Sequence, residues 1–313
     1  MKLLVTGGAG HIGSYLIREL GNQLSITEIT IIDNFNSTSI QSILNLDTTY
    51  PLRLIEKDLS EVNNKTFHND YKFDYLIHLA AMTNSTRIQS NPKKYSNYNL
   101  ELTKKSVEIA NFFKIPIIFP SSTSVYGNGG ISINELSDLG IPKSEYSIEK
   151  IKEEKYIQDN IDVTYGSIIL RLGSIYGTSP GMKFHTAINK FCFEAATTGR
   201  IKIWETALNQ IRPYLSITEL VRTISILTKE KNKSLAIYNL ASDHLSAIQI
   251  IGLIEKNLSK NIIVEKEQSE IMNSFDIIVD CKKIENLGLY LMSTVEKDIA
   301  NTVNLFRNIH YHV

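Results

Sequence analysis

Short apolar runs alternate along the first half of the chain with stretches whose apolar residues recur at helical spacing. Leu3 to Thr6, Ile29 to Asp33, Leu52 to Glu56, Tyr75 to Leu79, Ile115 to Ser121 and Ile168 to Leu172 read as buried strands. Pro92 to Phe113 carries Leu102, Val107, Ile109, Ala110 and Phe113 at helical spacing, with proline at a first-turn position. Such alternation predicts parallel strands joined by crossover helices. After Ser174 it loosens into helices (Phe184 to Ala196, Thr218 to Thr228, Ser246 to Leu258) and short strands (Ile201 to Trp204, Ala236 to Leu240, Ile262 to Lys266).

The chain has 313 residues, no internal repeat and no Pro/Gly/Ser linker, so two closely packed lobes around a cleft are expected. Lys plus Arg and Asp plus Glu number 33 each, which implies no global attraction to nucleic acid or to an anionic membrane. Cys192 and Cys281 stand in no CxxC or Cys/His spacing, so neither a disulfide framework nor a metal site is expected. No apolar run is long enough to span a bilayer, and Met1 to Thr6 is too short for a signal-peptide core. The expectation is a cytoplasmic protein.

Thr6-Gly7-Gly8-Ala9-Gly10-His11-Ile12-Gly13 follows the first strand directly and opens a helix. Glycines at 7, 10 and 13 permit a tight turn, close approach of backbone to a pyrophosphate and close packing of helix on strand, with the helix N-terminus facing the phosphates. Asp33 ends the second strand 20 residues beyond Gly13, where a carboxylate accepts hydrogen bonds from the adenosine ribose. Between Glu19 and Leu52 there is no Lys or Arg, so a 2′-phosphate would meet Asp33 without a cation from this segment, and NAD is expected rather than NADP. Asp58-Leu59 suits either the adenine amino group or a helix cap. Leu79, Ala80 and Ala81 suit either close approach to a cofactor or tight packing, and His78 reads as structural.

These features predict an α/β fold. A doubly wound, Rossmann-type parallel sheet would occupy residues 1–173, with a late return near 205–245, and a smaller α/β substrate-binding lobe would take mainly 174–313.

Tyr146 and Lys150 lie four apart on a predicted helix and so share a face. The hydroxyl-rich run from Ser121 to Ser124 falls at the carboxyl end of the fifth strand, where ligands of open α/β sheets bind. Removing hydride from a carbinol requires its proton to leave, and a phenol must be made more acidic to take that proton at neutral pH. A lysine ammonium and a positive nicotinamide favour the phenolate, while a serine hydroxyl holds the reacting oxygen.

With these residues in this order, the chain resembles the extended short-chain dehydrogenase/reductase family, in its NAD-dependent epimerase/dehydratase branch of nucleotide-sugar enzymes. The resemblance runs through TGGAGHIG at 6–13, Asp33, DL at 58–59, HLAA at 78–81, SSTSVYG at 121–127, YSIEK at 146–150, LRLGSIYG at 170–177, RPYLSITEL at 212–220 and YNLAS at 238–242. It implies Tyr146 as acid or base, Lys150 as its partner and a ribose ligand, and Ser122 as the orienting hydroxyl. It also implies cofactor contacts from His11, Ile12, Asn34, Asn99 and Ser121. Substrate contacts are implied for Thr83, Thr123, Ser174 and Arg212, the last suited to a diphosphate through its planar donors. Lys183 or His185, in the loop from Pro180, is a candidate replacement where the chain departs from the usual diphosphate grip, a loop leading into a helix cap being the simpler reading. A homodimer packed through the helices near 92–113 and 144–160 is a further implication.

The chain also departs from the resemblance. Thr123 and Ser124 stand where related dehydratases and decarboxylases carry acidic residues, so a carboxylate to move a proton at a neighbouring carbon is missing. Ser174 replaces a substrate-binding Asn, and Asn273 falls near the place of a second phosphate-binding Arg. The expected function is epimerisation at C4 of a nucleotide-activated hexose through a transient 4-keto sugar. A 4-keto-sugar reductase, a dehydratase with another proton donor and a non-catalytic NAD(H)-sensing protein are the competing readings. Intact Ser122, Tyr146 and Lys150 argue against the last.

Overall fold

The computed structural model describes all residues except 37–38, 45, 47, 49, 84–96, 231–233, 269–274 and 310–313. In chain order, the strands among the described residues are β1 (Lys2–Thr6), β2 (Glu28–Asp33), β3 (Leu52–Glu56), β4 (Tyr75–His78), β5 (Ile117–Ser122), β6 (Gly130–Ile133) and β7 (Ile168–Leu172). They continue with β8 (Ser174–Tyr176), β9 (Arg200–Trp204), β10 (Arg212–Ser216), β11 (Ala236–Leu240), β12 (Asp243–Leu245), β13 (Ile263–Glu267) and β14 (Ile277–Val279). The α-helices are α1 (His11–Gln23), α2 (Tyr98–Phe113), α3 (Glu145–Asn160), α4 (Ala187–Thr198), α5 (Ile217–Leu227), α6 (Ala247–Leu258), α7 (Lys282–Glu285) and α8 (Val295–Phe306).

Seven strands form one parallel sheet in the order β3-β2-β1-β4-β5-β7-β11. Side chains alternate across a strand, and β1 feeds both faces: Leu3 and Val5 join a core with Leu16, Leu20 and Ile224, while Leu4 joins Leu76, Leu102 and Ile157 on the other. That double burial is why these strands read as continuous apolar runs. Helices α1 and α5 pack together, as do α2 and α3. This is the doubly wound, Rossmann-type α/β fold that the alternation predicts.

The remaining strands form three small sheets. Strand β10 runs parallel to β8 and antiparallel to β12, β9 pairs with β13, and β6 pairs with β14. Around them α4, α6 and α8 enclose a separate core of Phe191, Cys192, Ile250, Ile254, Ile299 and Val303. The two cysteines are free and buried.

Helix α4 begins at Ala187 after Thr186, so 184–186 precede it, contrary to the expected start at Phe184. The expected start of the second helix at Pro92 lies outside the described residues. The outer surfaces of α2 and α3, expected to pair two subunits, carry the ion pairs Glu101–Lys104, Lys105–Glu108 and Lys155–Asp159. Phe112 is the one large apolar side chain exposed on them among the described residues. No helix among those residues is long and apolar enough to cross a membrane.

One buried ion pair ties the sheet to α3. The guanidinium of Arg171 on β7 lies 2.8 Å from the Glu154 carboxylate, with side chains 5% and 1% exposed, and it also donates to the Tyr126 hydroxyl. Removing one partner of such a pair leaves an uncompensated buried charge. Glu154→Ala is therefore expected to destabilise the fold by about 3–5 kcal/mol in urea unfolding. A loss below about 1 kcal/mol, the range of exposed pairs, would contradict the burial described.

Candidate active site

Strand order reverses between β1 and β4, so the connections leave these two neighbours toward opposite sides and a crevice opens beyond their carboxyl ends. The glycine loop occupies it. Gly7 has φ +70°, and a Cβ there would stand 2.6 Å from the Ala80 amide nitrogen. At Gly13 a Cβ would stand 2.6 Å from the Gly8 carbonyl oxygen. Helix α1 starts with no side-chain cap and no acidic residue in its first turn. Its first amides are thus free for an anion, and Gly10 borders the cavities on both sides of the loop.

On one side lies a cavity of about 540 Å³, lined among others by Asp33, Asn34, Asp58, Leu59, Ala80 and Ala81. The Asp33 carboxylate accepts the amides of Ala9 and Phe35, each at 2.9 Å, which fixes it against the loop while leaving lone pairs for further donors. Asp58 does cap the short 3-10 turn Leu59–Glu61, and its other oxygen accepts from Asn34 and Tyr98. Burial works against its charge, but these hydrogen bonds and those from Ser60 hold its pKa below the ordinary value. Lys183 reaches this cavity from the second lobe, a cation beside Asp33 that the 19–52 segment gave no sign of. His11, expected at the cofactor, borders the larger cavity on the other side of the loop, with its ring nitrogen 3.1 Å from the Gly177 carbonyl, and burial lowers its pKa to about 4.

On the other side lies a cavity of about 840 Å³, lined by Ser122, Tyr146 and Lys150 together with residues of the second lobe. Ser122 ends β5, where its Oγ accepts the Ser124 amide at 3.1 Å, and its hydroxyl is near enough to Tyr146 to lower the phenol's pKa. Helix α3 begins with a capping box between Ser144 and Ser147, which sets Tyr146 and Lys150 in its first turns. The Lys150 ammonium stands 5.9 Å from the Tyr146 ring centre and donates to the Pro120 carbonyl at 3.3 Å. It is also paired at 3.0 Å with Glu153. Burial opposes the Lys150 charge, but Glu153 and Tyr146 outweigh it and raise its pKa. Burial raises the Tyr146 pKa, Lys150 and the Ser122 hydroxyl lower it, Glu153 raises it, and the net is upward.

Thr83, Ser174, Lys183, His185 and Arg212 all border this second cavity. Thr83 and His185 are hydrogen-bonded at 3.2 Å. Arg212 is the most suggestive: its Nε and one terminal nitrogen are buried with no hydrogen-bond partner, and burial lowers its pKa. Such donors call for an anion. Two residues are placed differently from expectation. Thr123 donates to the Leu172 carbonyl at 3.2 Å and does not border the cavity; Ser124 does, with its Oγ buried and unpaired. Asn99 exchanges hydrogen bonds with the Met82 backbone at 2.7 and 3.0 Å, so it braces the segment after β4 and borders neither cavity. Asn273 lies outside the described residues.

His78 is a core residue. Thr103, which donates to Glu153, lies 3.3 Å from His78 Nε2, and the hydroxyls of Thr6 and Ser106 lie 2.8 and 2.9 Å from Nδ1. Burial, then Lys150, lowers its pKa to about 3, so it stays neutral. Sequence reasoning missed Lys143, Lys202, Trp204 and Phe275, which also border the large cavity. They come from short strands and loops whose meeting has no local pattern.

Residues 3–241 match the model of the NAD dependent epimerase/dehydratase family. The chain is 28% identical over 269 residues to the ADP-L-glycero-D-manno-heptose-6-epimerase of Brachyspira hyodysenteriae, covering 84% of this chain and 83% of that protein. It is likewise 28% identical over 263 residues to the dTDP-D-glucose 4,6-dehydratase of Dictyostelium discoideum, over 77% of this chain and 58% of that protein. Its fold is similar to the crystal structure of the UDP-glucose 4-epimerase of Bifidobacterium longum in complex with NAD+ and UDP, with a TM-score of 0.85, 20% identity and 97% of each chain covered.

Gly7→Ala adds a methyl where both φ and the Ala80 amide forbid it. Its affinity for NAD, measured by calorimetry, is expected to fall about tenfold or more, since such strain costs about 1–3 kcal/mol. Unchanged affinity would show that the loop does not form the dinucleotide seat.

Proposed function

The chain belongs to the NAD dependent epimerase/dehydratase family, and on that premise we propose that it is a nucleotide-sugar epimerase acting at C4 of a nucleotide-activated hexose. The observation that carries this reading is the Ser122, Tyr146 and Lys150 cluster on the large cavity, beside a position 123 turned into the protein and no carboxylate at 124. A hydroxyl, a phenol and an ammonium suffice for reversible oxidation of a carbinol, whereas moving a proton at a neighbouring carbon needs a further acid or base.

When bound, NAD would supply the hydride-accepting and hydride-donating chemistry. The free α1 amides and Gly10 hold the pyrophosphate, and Asp33 takes the adenosine ribose. Tyr146 removes the sugar hydroxyl proton as the carbon is oxidised and gives it back when the 4-keto sugar is reduced on its other face. Ser122 holds the reacting oxygen, and Lys150 favours the phenolate while binding the nicotinamide ribose. Arg212, with its buried unpaired donors, grips the diphosphate. Ser174, Thr83, Lys183 and His185 border the space in which the sugar turns. The similarity to a heptose 6-epimerase and to a 4,6-dehydratase supports the chemistry of transient oxidation and leaves the carbon to the assay.

Incubated with UDP- and dTDP-hexoses, the purified protein is expected to interconvert a C4 epimer pair without net change in NADH absorbance. Steady NADH consumption with a 4-keto sugar and no epimer would establish a reductase instead. Tyr146→Phe is expected to lower turnover about 100- to 10,000-fold while NAD remains bound. Arg212→Met is expected to raise KM about tenfold or more, the worth of a charge-assisted hydrogen bond, with a smaller effect on kcat. Light scattering tests the expected homodimer, which requires twice the mass of one chain.

A further inference from the structure

The Lys150 ammonium does not face Tyr146 alone. Lys150 and Glu153 stand one helical turn apart on α3, with side chains 3% and 1% exposed and an N–O distance of 3.0 Å. The same carboxylate oxygen accepts the Thr103 hydroxyl at 3.0 Å, and the other oxygen is buried without a hydrogen-bond partner among the described residues. A lysine has three donors; Glu153 and the Pro120 carbonyl occupy two, which leaves one for the phenol and the ribose.

We propose that Glu153 is a positioning residue that acts on Tyr146 through Lys150. It anchors the ammonium and, by opposing its charge in a desolvated site, keeps the phenol protonated until a positive group such as oxidised nicotinamide enters the cavity. This rests on Tyr146 being the acid or base.

The surrounding charges support that assignment. On α3, Glu154 is neutralised by Arg171 from β7. Glu149 is buried, has one carboxylate oxygen without a hydrogen-bond partner, and has its pKa raised by burial and then by Glu153; the ion pair of Lys150 is with Glu153. From β4, His78 is neutral, and it meets Glu153 only through Thr103. On the cavity side Lys143, Lys183, Lys190, Lys202, His185 and Arg212 border the same space, as does Glu267, an exposed residue with no ion pair to Lys150. Burial, then Lys183, holds the His185 pKa at about 4, so that ring is neutral too. Glu153 is thus the carboxylate in direct contact with Lys150 among the described residues. Removing its charge leaves Lys150 unopposed, which favours the phenolate.

The test is an ultraviolet titration of tyrosinate in the NAD-loaded protein, with Tyr146 isolated by subtracting the curve of Tyr146→Phe. Glu153→Gln keeps the side-chain size and is expected to lower the Tyr146 midpoint by about one pH unit or more. Glu153→Asp retains the charge and is expected to keep the midpoint near the native value, a rescue that a purely structural role would not produce. Should Glu153→Gln not fold, Glu153→Met removes the charge with an apolar side chain and is expected to move the midpoint in the same direction. A midpoint that is unchanged or raised in the neutral variant overturns the proposal. The titration uses no sugar, so full turnover by Tyr146→Phe would sink the acid/base reading separately.

Discussion

The absence of space for a methyl group between Gly7 and Ala80 is the constraint on which the rest of the structure turns. It lets the loop after β1 lie against the segment after β4 at the one place in the sheet where strand order reverses. From that contact follow the direction of α1, the exposure of its first amides and the two cavities that meet across the loop. Everything beyond serves to bring groups to that line. Asp33 is fixed by loop amides, and the second lobe leans over the loop through Gly181, whose Cβ would stand 2.5 Å from the Ala9 carbonyl oxygen.

Much of this was legible because the sheet is buried on both faces. Each central strand is an apolar run bounded by a turn, and the glycine loop, Asp33 and the Tyr146–Lys150 spacing sit at fixed places relative to those strands. The second lobe was less legible. Strands β6, β8, β10, β12 and β14 have three to five residues each and are stabilised by pairing with distant segments, as when Arg212 meets Leu245 or Gly130 meets Ile277. No local periodicity encodes such a pairing.

Side-chain direction was the other hidden quantity. Thr123 and Ser124 are adjacent and chemically alike, yet the 3-10 turn Thr123–Tyr126 sends one to the Leu172 carbonyl and the other to the cavity. Asn99 looks like a ligand in sequence, but two hydrogen bonds to Met82 commit it to bracing backbone. Lys183 and Glu153 show the same limit for charge: one joins the cavity beside Asp33 from a distant loop, and the other pairs with Lys150 from within its own helix.

The central claim is the proposal that the carbon-bound hydrogen removed from the sugar is the one that returns, because Ser122, Tyr146 and Lys150 border the cavity while positions 123 and 124 carry no carboxylate to move a carbon-bound proton. Proton NMR of the epimer formed in D2O tests this most directly. The expected result is an inverted sugar with its carbon-bound hydrogen fully retained. Deuterium at the inverted carbon or its neighbour would mean that the protein moves protons at carbon, and would contradict epimerisation by hydride return.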